Sequence, residues 1–258
     1  MSNIITEKKE KICYVTINRE KSLNALDYKT LDQLKDVVQS IHLDPEIQVV
    51  IFTGAGDRSF SVGADLKERR HLTPIEVRRN VKAIDDVFQE IASLPQPTIA
   101  AVNGYAFGGG FELMLSCDLC IASEDSQFGL TETSWAIIPG AGGTQRLPRL
   151  VGAMRAKELM FTARRFDSKE AKDLGIVLDV VSKGELIERA TDLAKQITKN
   201  GPVAIRQVKY AINQGLNTDL QTGLQIESKA YEFTIDTEDR LEALAAFAEK
   251  REPEFKGK

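Results

Sequence analysis

The sequence predicts an α/β fold carrying a helical extension, and three observations lead there. Short β-branched and apolar runs alternate with helical segments up to about residue 182. Beyond Lys183 no strand run recurs, and three helical stretches follow. Gly201-Pro202 is the most visible break. A division into a core of residues 1–195 and a helical region of residues 196–258 follows, and 258 residues suffice for one large domain with such an appendage.

The elements can be justified in order. Residues 11–18 (K-I-C-Y-V-T-I-N) are rich in β-branched and aromatic residues and read as a strand. From Asp27, Leu31, Leu34, Val37, Val38 and Ile41 recur at helical spacing, and Asp44-Pro45 ends that helix. Residues 49–53 form an apolar run bounded by Gly54, as a buried strand would. Thr73-Pro74-Ile75-Glu76 combines a threonine N-cap, proline at N1 and glutamate at N3, which opens a helix carrying Val77, Val81, Ile84, Val87, Phe88 and Ile91. Pro95 and Pro97 lead into a further buried strand, residues 98–103. Gly175 suits the position just past a helix end. The late helices fall at about 184–199, 202–214 and, as a pair, 219–250.

Composition excludes several function classes. The net charge of −4 gives no global reason to bind nucleic acid. Three cysteines make no disulfide framework and point to a reducing cytoplasm. The first residues lack a signal or transit character, and no apolar run approaches membrane-spanning length. Two histidines, His42 and His71, cannot build a three-histidine metal site, and neither neighbours a nucleophile, so no metal ligands are assigned. Cys117 and Cys120 form a lone C-x-x-C, better read as buried structure than as half a zinc site. The glycine-rich turns lack both G-K-[ST] and G-x-G-x-x-G, which disfavours nucleotide hydrolysis and dinucleotide binding.

What remains is residues 103–146. Two glycine turns, Gly108-Gly109-Gly110 and Gly140-Ala141-Gly142-Gly143, frame the carboxylates Glu112 and Glu132. A triple glycine running into an apolar helix leaves backbone N–H groups without helical partners. Glu112 sits in the first turn of that helix, flanked by Phe111, Leu113 and Met114. Glu132 lies between Phe128 and Leu130 on one side and Trp135, Ile137 and Ile138 on the other. Each could serve merely as a helix-end charge or cap. Together in an apolar pocket they could act as a paired acid and base.

The ordered set S-V-G-A-D-L-K-E, N-G-Y-A-F-G-G-G-F-E-L and F-G-L-T-E-T-S-W-A-I-I-P-G-A-G-G-T-Q-R-L-P-R resembles the enoyl-CoA hydratase/isomerase (crotonase) family over essentially the whole chain. The resemblance implies a crotonase-like spiral of ββα units with a C-terminal helical trimerisation region, trimers commonly pairing into hexamers. It implies an acyl-CoA thioester substrate, with coenzyme A part of that substrate and no separate cofactor. Carried over residue by residue, the N–H groups of Ala64 and Gly109 form an oxyanion hole for the thioester oxygen. Glu112 activates the water that attacks C3, and Glu132 delivers the proton to C2, although the two could titrate as one unit. The Gly140–Gly143 turn is left with a structural role.

The same resemblance places Ala64, Asp65, Leu66 and Lys67 along the coenzyme A path, with Lys67 a phosphate contact. It places Phe247 and Lys250 against coenzyme A of a neighbouring subunit, where helix surface or trimer contact is the plainer reading. Two glutamates favour hydration over the isomerases. The stretches A-K-E-L-M-F-T-A-R and G-P-V-A-I-R-Q-V-K-Y-A-I-N-Q-G are similar to the methylglutaconyl-CoA hydratase branch of leucine breakdown. That branch has an RNA-binding member with a row of lysines on its first helix. The matching residues 27–42 offer only Lys29 and Lys35 among Asp32 and Asp36, so RNA binding is not supported. The alternatives carried forward are a double-bond isomerase and a non-catalytic RNA-binding or scaffold homologue.

Overall fold

The computed structural model describes residues 2–258. In chain order the elements are β1 (Ile4–Lys9), β2 (Ile12–Ile17), α1 (Tyr28–Leu43), β3 (Val49–Gly54), β4 (Ser59–Ser61), α2 (Leu66–Arg69), α3 (Pro74–Ser93), β5 (Thr98–Val102) and β6 (Tyr105–Phe107). They continue with α4 (Gly109–Ser116), β7 (Leu119–Ser123), β8 (Gln127–Gly129), α5 (Gly143–Val151), α6 (Ala153–Thr162), β9 (Phe166–Asp167), α7 (Ser168–Asp173) and β10 (Asp179–Val181). The helices α8 (Leu186–Thr198), α9 (Pro202–Gly215), α10 (Leu220–Ile235) and α11 (Glu238–Glu249) close the chain.

Two sheets form, ordered β1-β2-β3-β5-β7-β10 and β4-β6-β8-β9. The pairs β1–β2 and β8–β9 are antiparallel and all others parallel. Each turn of the chain gives one strand to each sheet before a helix: β3 then β4, β5 then β6, β7 then β8. This is the spiral of ββα units that the resemblance implied.

The inner strands β3, β5 and β7 of the long sheet are buried on both faces, which explains their continuous apolar runs. Side chains alternate across a strand, so Val50 and Phe52 of β3 join the main core while Val49 and Ile51 face a second cluster. That second cluster is closed by Leu186, Ala190 and Ala194, spaced every four residues along α8. Residue 195 therefore lies inside a helix packed on the sheet, and Gly201-Pro202 separates α8 from α9.

Most local predictions hold for their stated reasons. Thr73 and Glu76 form a reciprocal capping box with Pro74 at N1, and Ile84, Val87, Phe88 and Ile91 of α3 are buried. Asp27 caps α1 by accepting from the Thr30 N–H. The Ile176 N–H bonds the Ala171 carbonyl and the Gly175 N–H that of Lys172, a Schellman end to α7.

The strand β1 was not anticipated. Its turn, Glu10-Lys11, contains no glycine or asparagine although Glu10 adopts φ 53°, and five of its six residues are exposed. Neither a turn signature nor an apolar alternation announces it. The three-residue strands β4, β6 and β8 were equally silent, being too short to show a period. Among the described residues, no helix is long and apolar enough to cross a membrane.

Candidate active site

The site lies at the carboxyl ends of the short parallel strands β4, β6 and β8, the edge where parallel sheets bind ligands. Gly63-Ala64 follows β4, Gly108-Gly109 follows β6, and Glu132 follows β8 as the first residue of a 3₁₀ turn, Glu132–Trp135. Segments remote in sequence thus converge on one edge.

Close backbone approach explains the glycines here. A Cβ on Gly63 would stand 2.5 Å from the Gly109 nitrogen, and one on Gly110 would overlap the Ser61 carbonyl oxygen. Ala64 is held from both sides by Leu26, whose N–H donates to the Gly63 carbonyl at 2.8 Å and whose carbonyl accepts from the Asp65 N–H at 3.1 Å. Among the described residues, neither the Ala64 N–H nor the Gly109 N–H meets an acceptor within the chain. Two partly exposed backbone donors with no partner are what an anion site requires.

Glu112 lies in the first turn of α4 and is 3% exposed. Its helix is pinned by Phe111, whose ring contacts those of Phe128 and Phe166 at centroid distances of 5.8 Å. Burying such a ring contributes about 2–3 kcal/mol, enough to fix the helix end. Glu112 Oε1 accepts from the Ala141 and Gly143 N–H groups, each at 2.8 Å. The Gly140–Gly143 turn, expected to be only structural, is therefore corrected to the cradle of a carboxylate. Burial raises the Glu112 pKa, opposed by those two N–H bonds and by the Arg146 guanidinium.

Glu132 is placed differently. Its Oε2 is buried and accepts no hydrogen bond. Burial, reinforced by the charge of Glu112, pushes its carboxyl up to about 7. Hydrogen bonds favour the charged form, and desolvation favours the neutral one. Glu112 is thus the better seat for a negative charge and Glu132 for a proton. The apolar surroundings expected for Glu132 are corrected in part: Phe128 and Leu130 are buried, but Trp135, Ile137 and Ile138 are 64%, 44% and 71% exposed. The 3₁₀ turn ends in a left-handed Ala136, whose N–H donates to the Glu132 and Thr133 carbonyls.

The remaining named residues divide. Asp65 is buried, caps α2 through the Lys67 and Glu68 N–H groups, and pairs with Arg19 at 3.0 Å. It holds Ala64 in place and offers its carboxylate to the fold. Leu66 and Lys67 are exposed beside the two free donors. Phe247, 86% exposed, and Lys250 lie at the end of α11 and bond to no site residue. Arg146 was missed. Its signal is a cation in the first turn of α5, where the helix dipole disfavours positive charge. Cys117 and Cys120 are unpaired, and burial pushes the Cys117 thiol up to about 12 and Cys120 well above its ordinary value. Among the described residues, no group of three or more His, Cys, Asp or Glu side chains could hold a metal ion.

Residues 7–258 match the family model described as enoyl-CoA hydratase/isomerase. The chain is 45% identical over 254 residues to the short-chain-enoyl-CoA hydratase of Clostridium acetobutylicum, covering 98% of this chain and 97% of that protein. It is 45% identical over 257 residues to the mitochondrial methylglutaconyl-CoA hydratase of Mus musculus, covering 98% and 82%. A crystal structure of an enoyl-CoA hydratase from Bacillus anthracis superposes with a TM-score of 0.98 at 49% identity, covering 99% of this chain and all of that one.

Proposed function

We infer that this chain, which belongs to the enoyl-CoA hydratase/isomerase family, adds water across the C2=C3 bond of a 2-enoyl-CoA thioester. The observation that carries the reading is one carboxylate with two backbone donors beside another whose buried Oε2 has none among the described residues, next to two unengaged N–H groups. The thioester oxygen sits between the Ala64 and Gly109 N–H groups. Ionised Glu112 takes a proton from water as its oxygen bonds to C3, and the electron pair of the double bond moves to the thioester oxygen as an enolate. The two N–H groups stabilise that charge, each by about 3 kcal/mol in a dry site. Protonated Glu132 then gives its proton to C2, and the carbonyl re-forms. Glu112 is left protonated and Glu132 ionised, and proton exchange with solvent after product release restores the starting pair; the step needs no electron donor or acceptor, so we assign no cofactor beyond the coenzyme A of the substrate.

Relatives named for short-chain enoyl-CoA and for methylglutaconyl-CoA lie at the same 45% identity, and we take both acyl types as substrates. Leu66 and Lys67 are assigned to the coenzyme A path on their exposure beside the oxyanion donors. We assign the α9–α11 arm to assembly as a trimer or a pair of trimers, because it leaves Tyr210, Leu224, Tyr231, Phe233, Leu244 and Phe247 more than half exposed. Phe247 and Lys250 would then meet the substrate of a neighbouring copy. The unpaired cysteines support a cytoplasmic location.

Hydration of crotonyl-CoA and 3-methylglutaconyl-CoA by the purified protein tests the reading. Turnover of either supports it, and turnover of neither overturns it. Conversion of a 3-enoyl-CoA without hydration would assign the isomerase reaction instead.

A further inference from the structure

We propose that Arg146 is the positioning residue that decides which carboxylate of the pair is the base. The inference rests on the hydratase reading above and adds to it the origin of the asymmetry between Glu112 and Glu132.

Arg146 is a partly buried guanidinium that makes no ion pair with any carboxylate among the described residues. Its Nη1 donates to the Ala141 carbonyl at 2.9 Å and its Nη2 to Gln89 Oε1 at 3.2 Å. Gln89 lies on α3 and its Nε2 reaches Asp85 Oδ1 at 3.4 Å. Ala141 is thus held at both ends, its carbonyl by Arg146 and its N–H by Glu112. The guanidinium lies so tightly on the turn that a Cβ at Gly142 would overlap Nη1, and Gly142 has φ 104°. A side chain at 142 would therefore displace Arg146 or open the cradle.

A guanidinium partly withdrawn from water without a carboxylate partner carries a desolvation cost, and such a cost persists where the charge serves a site. Three titratable groups face Glu112: Arg146 from α5, Asp85 from α3 and Glu132 from the turn after β8. Asp85 opposes its ionisation, Glu132 holds its proton and stays neutral, and Arg146 is the cation that favours it. It acts twice, by its field and by holding the two N–H donors on Glu112 Oε1. Without it the Ala141 carbonyl loses its brace and Glu112 loses the neighbouring positive charge, so the bias toward Glu112 as the base weakens.

The test compares Arg146→Met, Arg146→Lys and Gln89→Ala with the parent on whichever enoyl-CoA the parent hydrates. Loosening the cradle is expected to lower kcat about 100-fold in Arg146→Met, because small misplacement of a reacting group carries that penalty, with KM nearly unchanged. The acidic limb of kcat/KM should move to higher pH as Glu112 ionises less readily. Arg146→Lys, which restores charge without the two-point brace, should return the limb toward its parental position. Gln89→Ala changes an exposed side chain, so folding is preserved, and it should lower kcat several-fold with a smaller move of the limb.

A limb that stays at the parental pH in Arg146→Met, or parental kcat in both Arg146→Met and Gln89→Ala, overturns the proposal. Carbon-13 titration of the Glu112 carboxyl provides a readout independent of turnover. An unmoved Glu112 titration in Arg146→Met overturns the proposal, and an upward move supports it even if no enoyl-CoA is hydrated and the hydratase reading fails.

Discussion

Replacing Glu132 by Gln is expected to stabilise the protein, and to do so increasingly as pH rises. In the folded chain the Glu132 carboxyl is pushed from 4.5 up to about 7 by burial, reinforced by the Glu112 charge. Below pH 4.5 the folded and unfolded chains both hold the proton, and the group adds no pH dependence. Between 4.5 and 7 the unfolded chain releases the proton while the folded chain retains it, so stability falls as pH rises. Above 7 both forms are ionised and the full penalty applies, about 3 kcal/mol. Glutamine at 132 does not titrate, so the variant's advantage should grow by about 3 kcal/mol from pH 4.5 to pH 8. Urea unfolding of both proteins at one fixed concentration measures it, because assembly would shift midpoints with concentration. An advantage that stays constant across that range would refute the argument that Glu132 is held neutral by its surroundings.

The catalytic consequences are read by hydration assays. Glu112→Gln and Glu132→Gln should each lower kcat by about 10²–10⁴-fold with unchanged circular dichroism, and parental turnover in either removes that residue from the mechanism. In the parent, kcat/KM should decline on the alkaline side with an apparent pKa of about 7, as Glu132 loses the proton it must deliver; the plateau should extend to higher pH if another group is the acid. Gly63→Ala places a methyl 2.5 Å from the Gly109 nitrogen at a backbone φ of 78°. It should lower kcat by about 100-fold or more through loss of one oxyanion donor, and thermal melting will separate that loss from unfolding.

The parts of the site legible in the sequence were those whose residue types are rare in their setting. Glu112 in the apolar helix α4 and the triple glycine before it both stand out locally. What made Glu132 its partner was the order of motifs, since chemistry alone also allowed a helix-end charge. The contacts that were not legible span long separations. Ala141 and Gly143 reach Glu112 across 29 and 31 residues. No local pattern encodes that pairing, and the Gly140 turn consequently looked like a plain connection. The fold shows the same division: α3 was announced by its cap and periodicity, whereas β4, β6 and β8 owe their conformation to neighbours across the sheet. Exposure of Trp135, Ile137 and Ile138 could not be read from hydrophobicity, which by itself predicts burial.

The four-stranded sheet has a kinetic consequence. Its strands come from residues 59–61, 105–107, 127–129 and 166–167, so every pairing closes a loop of tens of residues for only two or three ladder positions. Loop-closure entropy must be met before so few contacts can return it. Helices such as α3 and the hairpin β1–β2 form from local contacts and carry no such delay. During refolding, far-ultraviolet ellipticity should therefore recover ahead of the oxyanion donors, and turnover should return last.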